Sequence, residues 1–230
     1  MFEKIIPYEE NLFFLINHAH TAFWDNVMWL YSDLVIWIPL ALLVIFTIVY
    51  KTNHIEYLLI LLSIVLVFCI CDQLSTHIIK PLIARPRPTH YPTIMEHVHT
   101  LYGYSGGRYG FISGHAANSF GFAMFTALLF RNKFYSVIIL LWAVIISYSR
   151  VYLGVHFFSD VVGGMIIGII IGYLIYKFYL FLRKQFIEKE SKEDRIYCYS
   201  IKRINYMTSV IVVYVLLISA FSGFIIQIVI

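Results

Sequence analysis

The stretch Ser149-Arg150-Val151-Tyr152-Leu153-Gly154-Val155-His156-Phe157-Phe158-Ser159-Asp160 lies between two long apolar runs, and its reading decides the fold. An arginine, a histidine and an aspartate in such surroundings are costly in lipid unless they face a cavity or a membrane surface. The flanking runs therefore read as helices that deliver the stretch to a membrane rim. His156 and Asp160 are four residues apart, so a helix starting near His156 puts both on one face. A carboxylate beside an imidazole fixes its tautomer and raises its basicity. Arg150 is a permanent cation whose planar donor fork suits phosphate oxygens. An activated histidine beside a phosphate clamp suggests phosphoryl transfer.

Composition agrees with a membrane setting. Of 230 residues, 60% are hydrophobic and 13% charged, which is unlike a soluble domain. The aromatic share of 18% can furnish interfacial belts. A net charge of +4 is too modest to point to nucleic acid. Cys69, Cys71 and Cys198 form no disulfide framework and read as free thiols. Residues 1–10 carry Glu3, Glu9 and Glu10 with no basic region ahead of a short apolar core, which is not a secretory signal.

Working outward, the chain reads as all-α, a single integral-membrane domain over 1–230 with six spans. Residues 5–24 are too polar to cross and are expected as an amphipathic helix at the interface, with His18 and His20 among its interfacial residues. Spans are expected at about 34–50, 56–79, 115–130, 134–149, 158–180 and 206–230. Asp72, Thr76 and Lys80 fall at steps of four and line one face; Asp72 is either a structural hydrogen-bonding group between helices or an orienter of a basic site residue. Pro81, Pro86, Pro88 and Pro92 turn 81–112 into a loop, with a short helical piece at 93–101. Gly164, Gly168 and Gly172 form a close-contact stripe, and 183–205 reads as a solvated loop. Six spans place 11 of the 17 Lys and Arg on one side, which should be cytoplasmic. The Lys80 loop, the 112–115 turn and the 149–160 stretch then meet on the outer face.

Three pieces gather there. Lys80 and Arg87 supply cations in a proline-set loop. Ser113-Gly114-His115 opens the third span, where a helix N-terminus offers free N–H groups to an anion. Arg150, His156 and Asp160 complete the set. Arg85 and Arg108 are candidates for a headgroup contact or for plain solvation. Glu96, His97 and His99 are weak metal candidates for want of a fourth ligand.

These pieces, Lys80-x6-Arg87-Pro88, Ile112-Ser113-Gly114-His115 and Ser149-Arg150-x5-His156-x3-Asp160, resemble the type 2 phosphatidic acid phosphatase family over residues 55–180. Ile112 stands where the family has proline, which implies a local backbone change. The resemblance implies a helical-bundle core and hydrolysis without metal or cofactor. By it, His156 attacks phosphorus, Asp160 orients His156, and His115 protonates the leaving oxygen. Lys80, Arg87, Arg150, Ser113 and Gly114 would hold the phosphoryl oxygens. The expected substrate is a membrane lipid phosphate at the periplasmic face of an inner membrane. Undecaprenyl diphosphate comes first, then a lipid A-type glycolipid, then phosphatidylglycerol phosphate or phosphatidic acid. The vanadium haloperoxidases share such a core but are soluble. A non-catalytic lipid-phosphate carrier would need the cations and not the His156–Asp160 pair.

Overall fold

The computed structural model describes residues 6–187 and 199–229, and every regular element among them is helical. Residues 188–198 of the expected 183–205 loop, Cys198 among them, lie outside that range, while helices extend into its two ends. The first two helices are α1 (Ile6–Asn17) and α2 (Ala22–Ser32), the latter capped by the Thr21 hydroxyl, which accepts from the Trp24 N–H. At Asp33 the chain turns sharply. The Asp33 carboxylate accepts the Val35 N–H at 2.9 Å, a short 3-10 turn follows, and α3 (Ile38–Val49) leaves at 74° to α2. The 3-10 turn and α3 together cover the span expected at 34–50.

Asn53 caps α4 (His54–Gln73), which runs through a π-helical stretch, Leu74–Ile79, into the single turn α5 (Lys80–Ile83). The wider π turn breaks the four-residue stripe through Asp72, Thr76 and Lys80. Asp72 is exposed and, among the described residues, its carboxylate accepts a long 3.5 Å bond from Thr76, although its charge still acts on Lys80. After the loop come α6 (Gly114–Phe130), α7 (Lys133–Tyr152) and α8 (Phe158–Phe186). The last pair is α9 (Ile201–Ala220) and α10 (Ser222–Val229), so the final expected span starts earlier and breaks at Phe221.

Among the described residues, four helices are long and apolar enough to cross a membrane: α4 with its extension, α7, α8 and α9. The α2–α3 pair makes a fifth if it is one broken span. This is a multi-pass membrane protein, with fewer clear spans than the six expected. At 17 residues α6 is short, but it lies at the centre, against α4, α7 and α8. Its closest neighbour is α8. A Cβ added at Gly164, Gly168 or Gly172 would meet the carbonyl of Ser113, Ala117 or Gly121 respectively, so the glycine stripe sets the approach of the two backbones. At the opposite end from the loop, buried Glu56 accepts from Tyr179 and from Arg183 Nε at 3.1 Å, tying α4 to α8.

The N-terminal helix differs from expectation in a way that matters. Residues 5–24 do not form one amphipathic helix; the chain breaks at 18–21. In α1, Glu9, Phe13 and Asn17 recur every four residues and turn inward, while Tyr8 and Leu15 face out. Phe13 packs on Phe157. Asn17 donates to the carbonyls of Tyr152 and His99 at 2.9 Å and accepts the His99 N–H. The polarity that kept this segment from spanning serves to clamp the long loop onto α7. That loop carries 3-10 turns at Pro88–His90 and Met95–His97, the second inside the short helical piece expected at 93–101.

Candidate active site

Antiparallel neighbours bring the C-terminal ends of α4 and α7 and the N-terminal ends of α6 and α8 to one end of the bundle. His156 lies in the link between α7 and α8, and Asp160 in the first turn of α8. Both are buried. The Asp160 carboxylate accepts the Phe157 N–H at 3.0 Å, so it caps its own helix, and lies 3.3 Å from His156 Nδ1. The other ring nitrogen, Nε2, is 3.2 Å from Arg87 Nη1, a group that can only donate. These partners place the imidazole proton on Nδ1 and leave the Nε2 lone pair facing the cations. Burial, and behind it Arg87, Arg150 and Lys80, holds the His156 imidazole well below its ordinary value of 6.5; a backbone hydrogen bond involving Gly110 opposes them. A neutral, nucleophilic ring is thereby favoured.

Arg87 approaches that nitrogen directly, and the charges of Arg150 and Lys80 also act on the ring. Arg87 is fixed by the carbonyls of Tyr109 and Val155, each at 3.1 Å. Gly106 and Gly110 let the loop close over it: a Cβ at Gly106, where φ is +67°, would lie 2.8 Å from Arg87 Nη1. Arg150 is buried; its Nη2 donates to Tyr104 Oη at 2.9 Å, and its Nε has no partner among the described residues. Leaving such a donor unmet costs about 1–3 kcal/mol, which an incoming oxyanion would offset. Lys80 Nζ approaches Gly114 to within 3.9 Å of where a Cβ would stand.

Ser113 and Gly114 open α6, and the Ser113 N–H donates to the Asp160 carbonyl at 2.8 Å, locking the starts of α6 and α8 together. His115 is exposed, within reach of the charges of Arg150, His156, Arg87 and Lys80. All eight site residues expected from the sequence thus collect at one end of the bundle. Ile112, in place of the family proline, is buried, and the peptide bond before it is cis.

Two expectations are corrected. Arg85 is no headgroup contact: it is buried, 3.1 Å from Asp160 Oδ1, 2.6 Å from Ser159 Oγ and 2.5 Å from Glu9 Oε2. A chain of charges therefore runs Glu9–Arg85–Asp160–His156. Sequence reasoning missed Glu9, whose only signal was a spacing of four from Phe13 and Asn17. Nor does His99 group with Glu96 and His97. It lies against His20, with ring centroids 3.6 Å apart and the planes tilted by 41°. Asp25 accepts from Tyr152 Oη and lies 2.6 Å from His20 Nδ1. Among the described residues, His20, Asp25 and His99, with ligand atoms within 4.8 Å of one another, form the group that could hold a metal. Arg108 is exposed, over the Tyr109 ring.

A bundle of membrane helices with a buried His–Asp pair under three cations defines a membrane phosphohydrolase. Residues 56–184 match the family model of the PAP2 superfamily, and the chain belongs to it. It is 41% identical over 187 residues to a lipid A 4'-phosphatase of Porphyromonas gingivalis, covering 80% of this chain and 78% of the relative. An undecaprenyl-diphosphatase of Sulfolobus acidocaldarius is 32% identical over 179 residues, covering 75% and 79%. Among solved structures, Aquifex aeolicus LpxE aligns with a TM-score of 0.54 at 29% identity, over 73% of this chain and 93% of that one. The protein is a lipid phosphatase of this superfamily.

Proposed function

We propose that the protein removes a phosphate from a lipid A-type glycolipid at the periplasmic face of the inner membrane. The undecaprenyl diphosphate favoured by sequence reasoning gives way here. Two relatives called lipid A 4'-phosphatase match at 41% and 36% identity, ahead of the undecaprenyl-diphosphatase at 32%. That ordering is the observation that carries the substrate reading. The outer-face placement rests on the loop charges that favour the opposite side as cytoplasmic.

In the proposed reaction, the phosphoryl group enters among Lys80, Arg87, Arg150, Ser113 and the free N–H of Gly114. His156 Nε2 attacks phosphorus as the bond to the sugar oxygen breaks. Asp160 steadies the imidazolium that forms. His115 gives the leaving oxygen its proton and then takes one from the water that cleaves the phosphohistidine. The cations neutralise charge spreading over the phosphoryl oxygens. The test is phosphate release by purified protein in EDTA from lipid A, undecaprenyl diphosphate and phosphatidic acid side by side. A higher kcat/KM on lipid A supports the reading; a higher value on undecaprenyl diphosphate restores the second one.

A further inference from the structure

A pocket of about 170 Å³ opens beside the phosphate-binding cations, lined by Trp29, Ser32, Asp33, Tyr104 and Arg150. One of its walls is the buried Arg150, whose guanidinium bonds Tyr104 Oη and lies 5.5 Å from the Tyr104 ring centre. Its side walls are aromatic: Trp29 meets Tyr104 edge-on at 5.8 Å and Tyr102 at 4.9 Å. Its remaining wall is the C-terminal end of α2, with Ser32 and the Asp33 carboxylate. One Asp33 oxygen caps the Val35 N–H.

The charge pattern selects the occupant. A carboxylate at a helix C-terminus, where the dipole is also negative, repels a second anion and attracts hydrogen-bond donors. Aromatic edges and faces suit a ring with C–H groups, and the volume suits one ring better than a chain. Arg150 is shared with the phosphate site, so whatever fills the pocket is attached to the phosphate being held. We infer that this pocket is a subsite for the sugar ring that carries the scissile phosphate, with Asp33 accepting hydroxyl or amide protons and Trp29 and Tyr104 packing on the ring. The inference rests on the glycolipid reading above and deepens it. In a polyprenyl diphosphate the group next to the reacting phosphorus is another phosphate, which Asp33 opposes.

The test uses full-length protein in detergent with Asp33→Asn, which can still cap Val35, and Trp29→Ala, with Trp29→Phe as the folding control. Asp33→Asn should raise KM for lipid A about tenfold or more, the scale of a lost charged hydrogen bond. It should leave kcat/KM for phosphatidic acid within about twofold and improve turnover of undecaprenyl diphosphate as the repulsion is removed. Trp29→Ala should weaken lipid A about three- to tenfold, and Trp29→Phe should recover most of that. Equal losses on all three lipids, or no change on any, would overturn the subsite. A competition arm separates it from the function. Glucosamine 6-phosphate and glycerol phosphate are compared as inhibitors of phosphatidic acid hydrolysis. If lipid A is not cleaved yet the sugar phosphate inhibits better, and Asp33→Asn abolishes the advantage, the subsite stands and the glycolipid function falls. If lipid A is cleaved and the two phosphates inhibit equally, the subsite falls alone.

Discussion

Replacing Arg85 with alanine should impair turnover through Asp160, with little effect on substrate affinity. The guanidinium is 2% exposed and touches Asp160, Ser159 and Glu9 at 3.1, 2.6 and 2.5 Å. Without it, a fully buried carboxylate keeps the Phe157 N–H and the His156 ring but loses its nearest cation. Removing one partner of a buried ion pair costs about 3–5 kcal/mol. The Glu9 side chain is 12% exposed, so Glu9→Ala should cost less, about 1.5–3 kcal/mol for a charged hydrogen bond. An Asp160 stripped of its cation competes for the His156 Nδ1 proton, and the imidazole loses its fixed tautomer. A displacement of about 1 Å at a reacting group can cost about 10²-fold in rate, so kcat should fall on that scale while KM moves little. Thermal unfolding in detergent and steady-state kinetics on a solubilised lipid phosphate would measure both. A rise in KM with kcat intact would put Arg85 on the substrate. An unchanged unfolding midpoint for Glu9→Ala would sever α1 from the charge chain.

Other consequences are quicker to check. With p-nitrophenyl phosphate, whose leaving group needs no proton, formation of the phosphorylated enzyme should stay flat as pH falls through 6.5, because His156 is held well below that value; a limb centred at 6.5 would contradict this. The same depression means that the unfolded chain binds more protons than the folded one below 6.5. The His156 contribution to stability should therefore be lost on acidification, seen as a falling unfolding midpoint below that pH. Gly168→Ala would press a methyl on the Ala117 carbonyl and Gly121 N and should cost about 1–3 kcal/mol. Gly107→Ala has nothing within 4 Å and should stay within about 0.5 kcal/mol, measured in the same unfolding assay. Gly114→Ala would bring a methyl within 3.2 Å of Ser75 Oγ and 3.9 Å of Lys80 Nζ and should depress kcat/KM without loss of stability.

The residues legible in the sequence were those whose types announce their chemistry at fixed spacing. Lys80, Ser113, His115, Arg150, His156 and Asp160 stand at or beside the ends of helices that alternate in direction, so topology gathers them, and Arg87 joins them from the loop between α5 and α6. Arg85 was misjudged because it sits in the same proline-rich segment as Arg87, and only its bonds to Asp160, Ser159 and Glu9 reveal its role. Glu9 pairs across 76 residues, which no local pattern encodes. The polar face of α1 looked like a headgroup face because sequence polarity does not say whether its partner is water or protein. The stripe through Asp72 failed because a π turn intervenes, and the 74° bend at Asp33 has no proline or glycine to signal it.

The central claim, that His156 at the pooled ends of α7 and α8 takes the phosphoryl group, is tested most directly by rapid acid-free quenching of the protein with a radiolabelled lipid phosphate and mapping of the label. The account predicts one acid-labile, base-stable phosphoryl group on residue 156, present in wild type and absent in His156→Ala. Label on another residue, or steady turnover by His156→Ala, would contradict it.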